Sequence, residues 1–335
     1  MLQEQESDFS MEIRDMAAQR RDCFRNSFQI SVMGFAISRN MLFWHPGIMA
    51  YIVSDLLREM IRRLADNGVY EPEVSAKRIL THITGMERAE MYADDRTLIY
   101  EPEINAAKAA IERRISGEPV AYIVGGCEFY NIKLKIDRRV LVPRPETEVL
   151  LDEVISRLRE QKGKLIAADI GTGSGNIAIS IAFNIPGLRI IATDIDAFVL
   201  ELAMENAEMN GVADRIEFRE GDLFAPLGNE YSKFDAIISN PPYVSEQERN
   251  ILPVEVRKYE PARALFAGAD GLSVIKKIVS QAPRYLKAGG LLALEIGYQQ
   301  GSAVRDLMTR DFREVELLKD LAGTDRVIVG YKGQP

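Results

Sequence analysis

The chain is poor in the residues that build covalent frameworks and most acid–base sites. Its 335 residues include two cysteines and two histidines. Cys23 and Cys127 lie far apart and outside any metal-ligand spacing. They imply no disulfide framework and no metal site, and a reducing cytoplasm suits them best. Long apolar runs are also missing. The best, Phe28 to Ile37, is about half the length of a membrane span and is broken by Gln29, Ser31 and Gly34. Nor is there a basic excess: 42 Lys and Arg stand against 50 Asp and Glu, a net charge of −8. Broad electrostatic capture of nucleic acid is therefore not expected. The first 27 residues mix Arg14, Arg20, Arg21 and Arg25 with Glu4, Glu6, Asp8, Glu12, Asp15 and Asp22, unlike an acid-poor targeting peptide. No internal repeat and no low-complexity stretch interrupts the chain.

What remains is ordinary globular composition, 47% hydrophobic and 27% charged, long enough for an α/β core and a second, smaller domain. Residues 1–48 hold scattered aromatics with no clear period and end at the loop-like Trp44-His45-Pro46-Gly47. They suggest an extension, disordered or weakly helical, or an upstream start with Met49 as the alternative first residue. Residues 49–118 carry helical spacing: Ile52, Leu56, Leu57, Met60, Ile61 and Leu64 end at Asn67-Gly68. A second helix is predicted after Pro72 and a third after Pro102, making a small bundle. Residues 119–142 alternate in Tyr122-Ile123-Val124 and Ile132-Lys133-Leu134-Lys135-Ile136, which predicts a β-hairpin linker. From 143 to 335 strand and helix alternate, predicting a mostly parallel wound sheet. Strands are expected at 165–170, 189–194, 215–219, 235–239, 291–296, 313–318 and 326–331. Helices are expected at 146–160, 175–184, 197–209, 271–286 and 299–309.

The first of those strands runs through Asp169 into Gly171-Thr172-Gly173-Ser174-Gly175-Asn176. Glycines at a strand-to-helix turn let a ligand approach the backbone. A dinucleotide fingerprint would place its third glycine at 176, but Asn176 stands there, and the spacing suits a nucleoside without a pyrophosphate. Alone, the loop could be a tight turn in any α/β domain. Two further acids follow on successive strand ends. Asp194 is placed to accept from ribose hydroxyls, and Asp222 from an adenine amino group covered by Leu223 or Phe224. Each alone could be a helix cap. Together they fall on the carboxyl edge of one sheet, where open sheets bind ligands.

The fourth strand delivers Asn240-Pro241-Pro242-Tyr243 to the same edge. Two prolines remove two backbone donors and stiffen the segment. The Asn240 side-chain oxygen and the Pro241 carbonyl remain as acceptors, which together suit the two donors of a planar NH2 group. Tyr243 offers a flat face beside it. An amide or aryl amino nitrogen is a poor nucleophile because its lone pair is delocalised. Two fixed acceptors can favour its pyramidalisation and aim the lone pair at an electrophilic methyl. No strong general base is needed, and His45 and His82 both lie outside the catalytic region.

These segments, in order, resemble the HemK/PrmC family of peptide-chain release factor glutamine N5-methyltransferases. The resemblance runs from about Met49 to Lys332. It is carried by Glu118 to Ile123, Glu128-Phe129-Tyr130, Val140 to Glu148, Asp169 to Gly175, Asn240 to Tyr243, Glu260 to Leu265, Gly268 to Leu272, Gly289 to Leu291, Glu295-Ile296-Gly297 with Gln299, and Asp320 to Arg326. It implies a Rossmann-like class I methyltransferase domain with a seven-stranded, mostly parallel sheet, joined by a β-hairpin to an N-terminal helical bundle. It implies S-adenosylmethionine as cofactor and the glutamine of the Gly-Gly-Gln loop of class I release factors as substrate, with the helical domain docking that partner. Asp169, Gly171 to Gly175, Asp194, Asp222, Leu223, Phe224 and Asn240 become cofactor residues. Asn240, Pro241, Pro242 and Tyr243 become the catalytic tetrad. Arg144-Pro145 and Glu146-Thr147-Glu148 would sit beside the cofactor and the catalytic pocket, Arg144 and Pro145 joining the tetrad in holding substrate, although Pro145 and the acids after it would also suit a helix start. A cytoplasmic monomer is the default. Two departures from the family pattern are the N-terminal extension and Asn131, which stands where glycine commonly follows; asparagine tolerates the left-handed dihedrals of such a turn. The alternative reading is a DNA adenine or cytosine amino-methyltransferase using the same tetrad on a flipped base. A non-catalytic cofactor-binding protein on this fold would have no use for the tetrad.

Overall fold

The computed structural model describes residues 43–45, 48–86 and 97–333. The chain divides into two compact units that meet between Val124 and Gly125.

In the first unit, β1 (Phe43–His45), β2 (Ile48–Ile52) and, after α1 (Val53–Asp66) and α2 (Pro72–Thr84), β3 (Leu98–Tyr100) form a small antiparallel sheet in the order β1-β2-β3. The helix expected from Met49 therefore begins only at Val53. Ile48–Ile52 pairs on both sides, Ala50 with Phe43 and Ile52 with Leu98, and ladder hydrogen bonds outweigh the helical spacing there. Trp44 and His45 lie on β1, while Pro46, Gly47 and residues 1–42 fall outside the described residues.

Helix α1 buries Val53, Leu56, Met60 and Leu64 at three- and four-residue steps, and it stops at Asn67-Gly68 as expected. Gly68 takes a positive φ of 70°. Helix α2 starts on Pro72 and ends at left-handed Gly85. Helix α3 (Glu101–Ile115) opens with Glu103 reaching back to the Tyr100 N–H at 2.9 Å, a capping interaction. Short α4 (Val120–Val124) closes the bundle, whose core joins Leu56, Leu64, Ile79, Leu80, Ile104 and Ile111 to Ile123. Tyr122–Val124, expected as a strand, is helical. Tyr122 and Ile123 bond to the Pro119 carbonyl, and a three-residue apolar run has no period of its own.

The hairpin expected as a linker belongs to the second unit. It pairs β4 (Gly126–Phe129) with β5 (Ile132–Lys135) through a two-residue turn. Tyr130 (φ 43°) and Asn131 (φ 64°) are both left-handed, the geometry such a turn requires.

Helix α5 (Thr147–Arg159) leads into β6 (Ile166–Ile170), α6 (Asn176–Asn184), β7 (Arg189–Asp194), α7 (Ala197–Met209), β8 (Ile216–Glu220) and β9 (Phe234–Ser239). Beyond these come α8 (Val254–Tyr259), α9 (Ala262–Leu265), α10 (Ser273–Tyr285), β10 (Leu286–Glu295), α11 (Gly301–Met308), β11 (Phe312–Lys319) and β12 (Asp325–Lys332). The seven strands lie in the order β11-β12-β10-β9-β6-β7-β8, and only β12 runs against the others. Strand β10 starts earlier than expected because a register shift between Leu286 and Leu291 carries the pairing past Gly289-Gly290.

The chain moves outward from β6 to β8, then returns to place β9 on the other side of β6. Loops after β6 and β9 therefore diverge above the sheet and leave a crevice at its carboxyl edge. Beneath it, Ile170, Phe234, Ile237, Ile278, Leu292 and Leu294 lie in one continuous core. Helix α7 also anchors the hairpin. Asn206 and Asn210, one turn apart, each bond the backbone N–H and carbonyl of a β5 residue, Lys135 and Lys133 respectively. Two side-chain amides thus stand in for a neighbouring strand.

Candidate active site

The crevice encloses a cavity of about 590 Å³. One wall is the loop after β6. Gly171 (φ 74°) and Gly173 (φ 56°) have open space where a Cβ would project, so a ligand can approach the backbone there. Gly175 (φ 81°) has a different task. A Cβ on it would lie 2.8 Å from Ile179 Cδ1 and 3.3 Å from Ala203 Cβ, so its glycine lets α6 and α7 pack closely.

Asp194, at the end of β7, accepts from the Gly173 N–H at 3.0 Å and so latches the glycine loop while also lining the cavity. Burial raises its pKa against those backbone hydrogen bonds. Asp169 lies beneath the loop, 1% exposed. One of its oxygens accepts from the Thr172 hydroxyl at 2.6 Å and the Ala178 N–H at 3.2 Å, and the other has no partner. Desolvation pushes this carboxyl up to about 7.

Among the expected cofactor residues, Gly171, Thr172, Gly173, Ser174, Asp194, Asp222, Leu223 and Asn240 line the cavity. Asp169 and Gly175 shape the loop from behind. Phe224 turns into the core, 1% exposed and stacked on Tyr285 at 4.9 Å, so Leu223 alone is left to cover a ring. An exposed carboxylate at Asp222, a half-buried one at Asp194 and glycines with open space above them form a donor-hungry, close-approach surface. That surface fits a nucleoside bearing hydroxyl and amino groups.

The opposite wall is the end of β9. Asn240 and Pro242 line the cavity, whereas Pro241 is buried and Tyr243 points into the sheet end. The Tyr243 hydroxyl donates to Glu295 at 3.2 Å, and burial beside that carboxylate raises its pKa, which keeps the phenol neutral. Arg144 lines the cavity and holds both oxygens of Glu260, at 2.6 and 2.8 Å, while Pro145 is exposed and lies outside the cavity lining. Burial raises Glu260, and the guanidinium opposes this.

The cavity also recruits residues that motif reading did not single out: Arg138, Arg139, Leu141, Asp196, Ala262 and Arg263. Arg139 bonds Asp137 and the Phe198 carbonyl, and Arg263 pairs with Asp196 at 3.4 Å. Leu141, Ala262 and Arg263 fall within segments that carried the family resemblance, so a signal existed for them. Arg138, Arg139 and Asp196 had none. Among the described residues, no three His, Cys, Asp or Glu are grouped to hold a metal ion, and no helix is long and apolar enough to cross a membrane.

Comparison with known proteins bears on what this crevice serves. Residues 55–125 match the PrmC N-terminal domain, and residues 146–256 match the methyltransferase small domain. The release factor glutamine methyltransferase of Chlorobaculum tepidum is 37% identical over 287 residues, covering 84% of this chain and 97% of that protein. That of Bacillus subtilis is 39% identical over 261 residues, covering 76% and 90%. The chain belongs to the release factor glutamine methyltransferase family. A solved protein-(glutamine-N5) methyltransferase, release factor-specific, from Alicyclobacillus acidocaldarius is 30% identical, with 60% of this chain and 100% of that one covered and a TM-score of 0.37. In this family member, the small methyltransferase domain match spans the glycine loop, Asp194, Asp222 and the Asn-Pro-Pro-Tyr segment alike.

Proposed function

We propose that this family member transfers a methyl group from S-adenosylmethionine to the side-chain amide nitrogen of the Gly-Gly-Gln glutamine in class I release factors. The observation that carries the reading is the meeting of Asn240 and Pro242 with Gly171 to Ser174, Asp194, Asp222 and Leu223 around one cavity. A nucleoside-holding surface and an amide-holding strand end face each other across the sheet's switch point.

The cofactor supplies a methyl group already activated on a sulfonium. The residues of the chain bind and aim. Asp194 and Asp222 would accept from ribose and adenine, Leu223 would cover the ring, and the glycine loop would let the ligand lie against backbone. Asn240 Oδ1 and the backbone carbonyl of neighbouring Pro241 accept the two amide hydrogens of the glutamine, while Tyr243 stays behind them, bonded to Glu295. Held this way, the nitrogen turns its lone pair toward the methyl, and positioning of this kind contributes up to about 7–11 kcal/mol in well-oriented cases. As the N–CH3 bond forms and the S–CH3 bond breaks, leaving a neutral thioether, the nitrogen would become acidic and release one of its two protons past its acceptor to solvent, so no strong base is called for. Arg144, fixed by Glu260, borders the substrate side. The helical bundle of the first unit takes the docking role, and a cytoplasmic location follows from a partner that works on the ribosome.

Incubation with labelled cofactor tests the reading. A purified class I release factor should gain one methyl on the loop glutamine, and its Gln→Ala variant should gain none. Label on the variant, or transfer to a DNA oligonucleotide in preference to the protein, would replace this assignment.

A further inference from the structure

Motif reading gave no role to a buried chain of hydrogen bonds behind the tetrad. Glu295 is the last residue of β10, and the β9–β10 pairing of Ser239 with Leu294 brings it level with Asn240. Thr147 opens α5. Both side chains are buried, Thr147 at 0% and Glu295 at 1% exposure. The Thr147 hydroxyl donates to Glu295 Oε2 at 2.6 Å, and Asn240 Nδ2 donates to Thr147 Oγ1 at 3.3 Å. The Tyr243 hydroxyl donates to the other carboxylate oxygen.

The direction of this chain is fixed by chemistry. An ionised carboxylate only accepts. Thr147 has a single hydroxyl proton and gives it to Glu295, so toward Asn240 it can only accept. The amide group of Asn240 must then turn its NH2 to Thr147, which leaves Oδ1 toward the cavity. Reversed, the same side chain would offer donors to a substrate NH2 that needs acceptors.

We infer that Thr147 and Glu295 are positioning residues that set which end of the Asn240 amide faces the substrate. The kinetic side of this inference rests on the glutamine-methylating reading above; the structural side rests on the hydrogen-bond chain alone. Thr147→Val keeps the shape and removes the hydroxyl. It should lower kcat roughly 10- to 100-fold, the effect of leaving a buried polar group without its partner. The KM for release factor and the Kd for cofactor should stay within about threefold, because the hydroxyl touches neither ligand. Thr147→Ser restores the hydroxyl and should recover kcat to within about threefold of wild type.

A folded Thr147→Val protein with wild-type kcat would overturn the inference. So would equal losses in the Ser and Val variants, which would assign the effect to packing. A second measurement needs neither turnover nor a variant at Thr147. In the wild-type protein, the Asn240 side-chain NH2 signals, assigned by their loss in Asn240→Ala, should include one proton protected from solvent exchange by about tenfold or more. Two unprotected protons would overturn the inference even if Thr147→Val fails to fold. If wild-type protein methylates no release factor, the functional reading falls while the exchange measurement still decides on the chain.

Discussion

Asn206→Ala should cost more stability than Asn210→Ala, the other amide that anchors the hairpin, and the structure sets the scale. The Asn206 side chain is fully buried, at 0% exposure. It accepts from the Lys135 N–H at 2.7 Å and donates to the Lys135 carbonyl at 3.1 Å and the Ser174 carbonyl at 2.9 Å. Truncation strands three backbone groups. The Ser174 carbonyl is buried inside the glycine loop and carries the full cost of an unsatisfied group, about 1–3 kcal/mol. The two Lys135 groups are half-buried and recover part of their bonding from water, so the total is about 2–4 kcal/mol. Asn210→Ala breaks a similar pair at 3.2 and 2.7 Å, but at an exposed position where water substitutes, so it should cost about 0.5–1 kcal/mol. Urea unfolding of both variants, read as midpoint shift at constant slope, gives the two numbers. Calorimetric titration of cofactor adds a functional reading. Asn206→Ala should weaken binding because Ser174 loses its anchor, and Asn210→Ala should not. Equal costs for the two variants, or an Asn206→Ala loss below about 1 kcal/mol, would refute the view that the hairpin is tied to the cofactor loop through this residue.

Further outcomes are expected at Glu295 and in the glycine loop. Glu295 is faced by Thr147 from α5, Glu146 just before that helix, Tyr243 after β9 and Arg326 from β12, and burial pushes its carboxyl up to about 6. It therefore gains a proton at higher pH than an exposed glutamate, and kcat at saturating substrates should fall as pH drops through about 6. The same group contributes to stability in the opposite sense. The folded state holds its proton more tightly than the unfolded chain, so its contribution is lost as pH rises past that value. An acid limb at the ordinary glutamate position would contradict the assignment. At Gly175, with φ 81° and a Cβ site 2.8 Å from Ile179, substitution by Ala should destabilise by about 1–3 kcal/mol in urea unfolding. Gly173→Ala meets open space and should lose only the backbone term, about 1 kcal/mol.

Much of the second unit was legible because each strand is a short apolar run closed by a turn signal and followed by helical spacing. Helix α7 begins and ends where the pattern placed it, and Asn131 adopts the left-handed turn that its side chain permits. The misreadings share a physical cause. Tyr122–Val124 and Ile48–Ile52 are apolar segments too short to carry a period, so hydrogen bonding to Pro119 or pairing with β1 and β3 decided their fate. In the site, residues on strand ends were readable because the topology of a wound sheet gathers strand ends. What composition and spacing could not separate was which of them face the cavity. Phe224 and Asp169 sit one and two residues from lining residues, yet one fills the core and the other props the loop from beneath. The partnership of Thr147 with Glu295 joins residues 148 apart and becomes visible only when β10 is placed beside β9.

Methyl transfer depends on Asn240 gripping the substrate amide rather than merely bordering the cofactor. Asn240→Ala, assayed for cofactor binding by calorimetry and for single-turnover methylation of a release factor, separates the two. Cofactor Kd should remain within about threefold while the methyl-transfer rate falls by roughly 10²–10³ or more, the loss typical of a preorganised polar group at a reaction centre. A variant that still methylates at the wild-type rate, or that loses cofactor binding and transfer in equal measure, would contradict it.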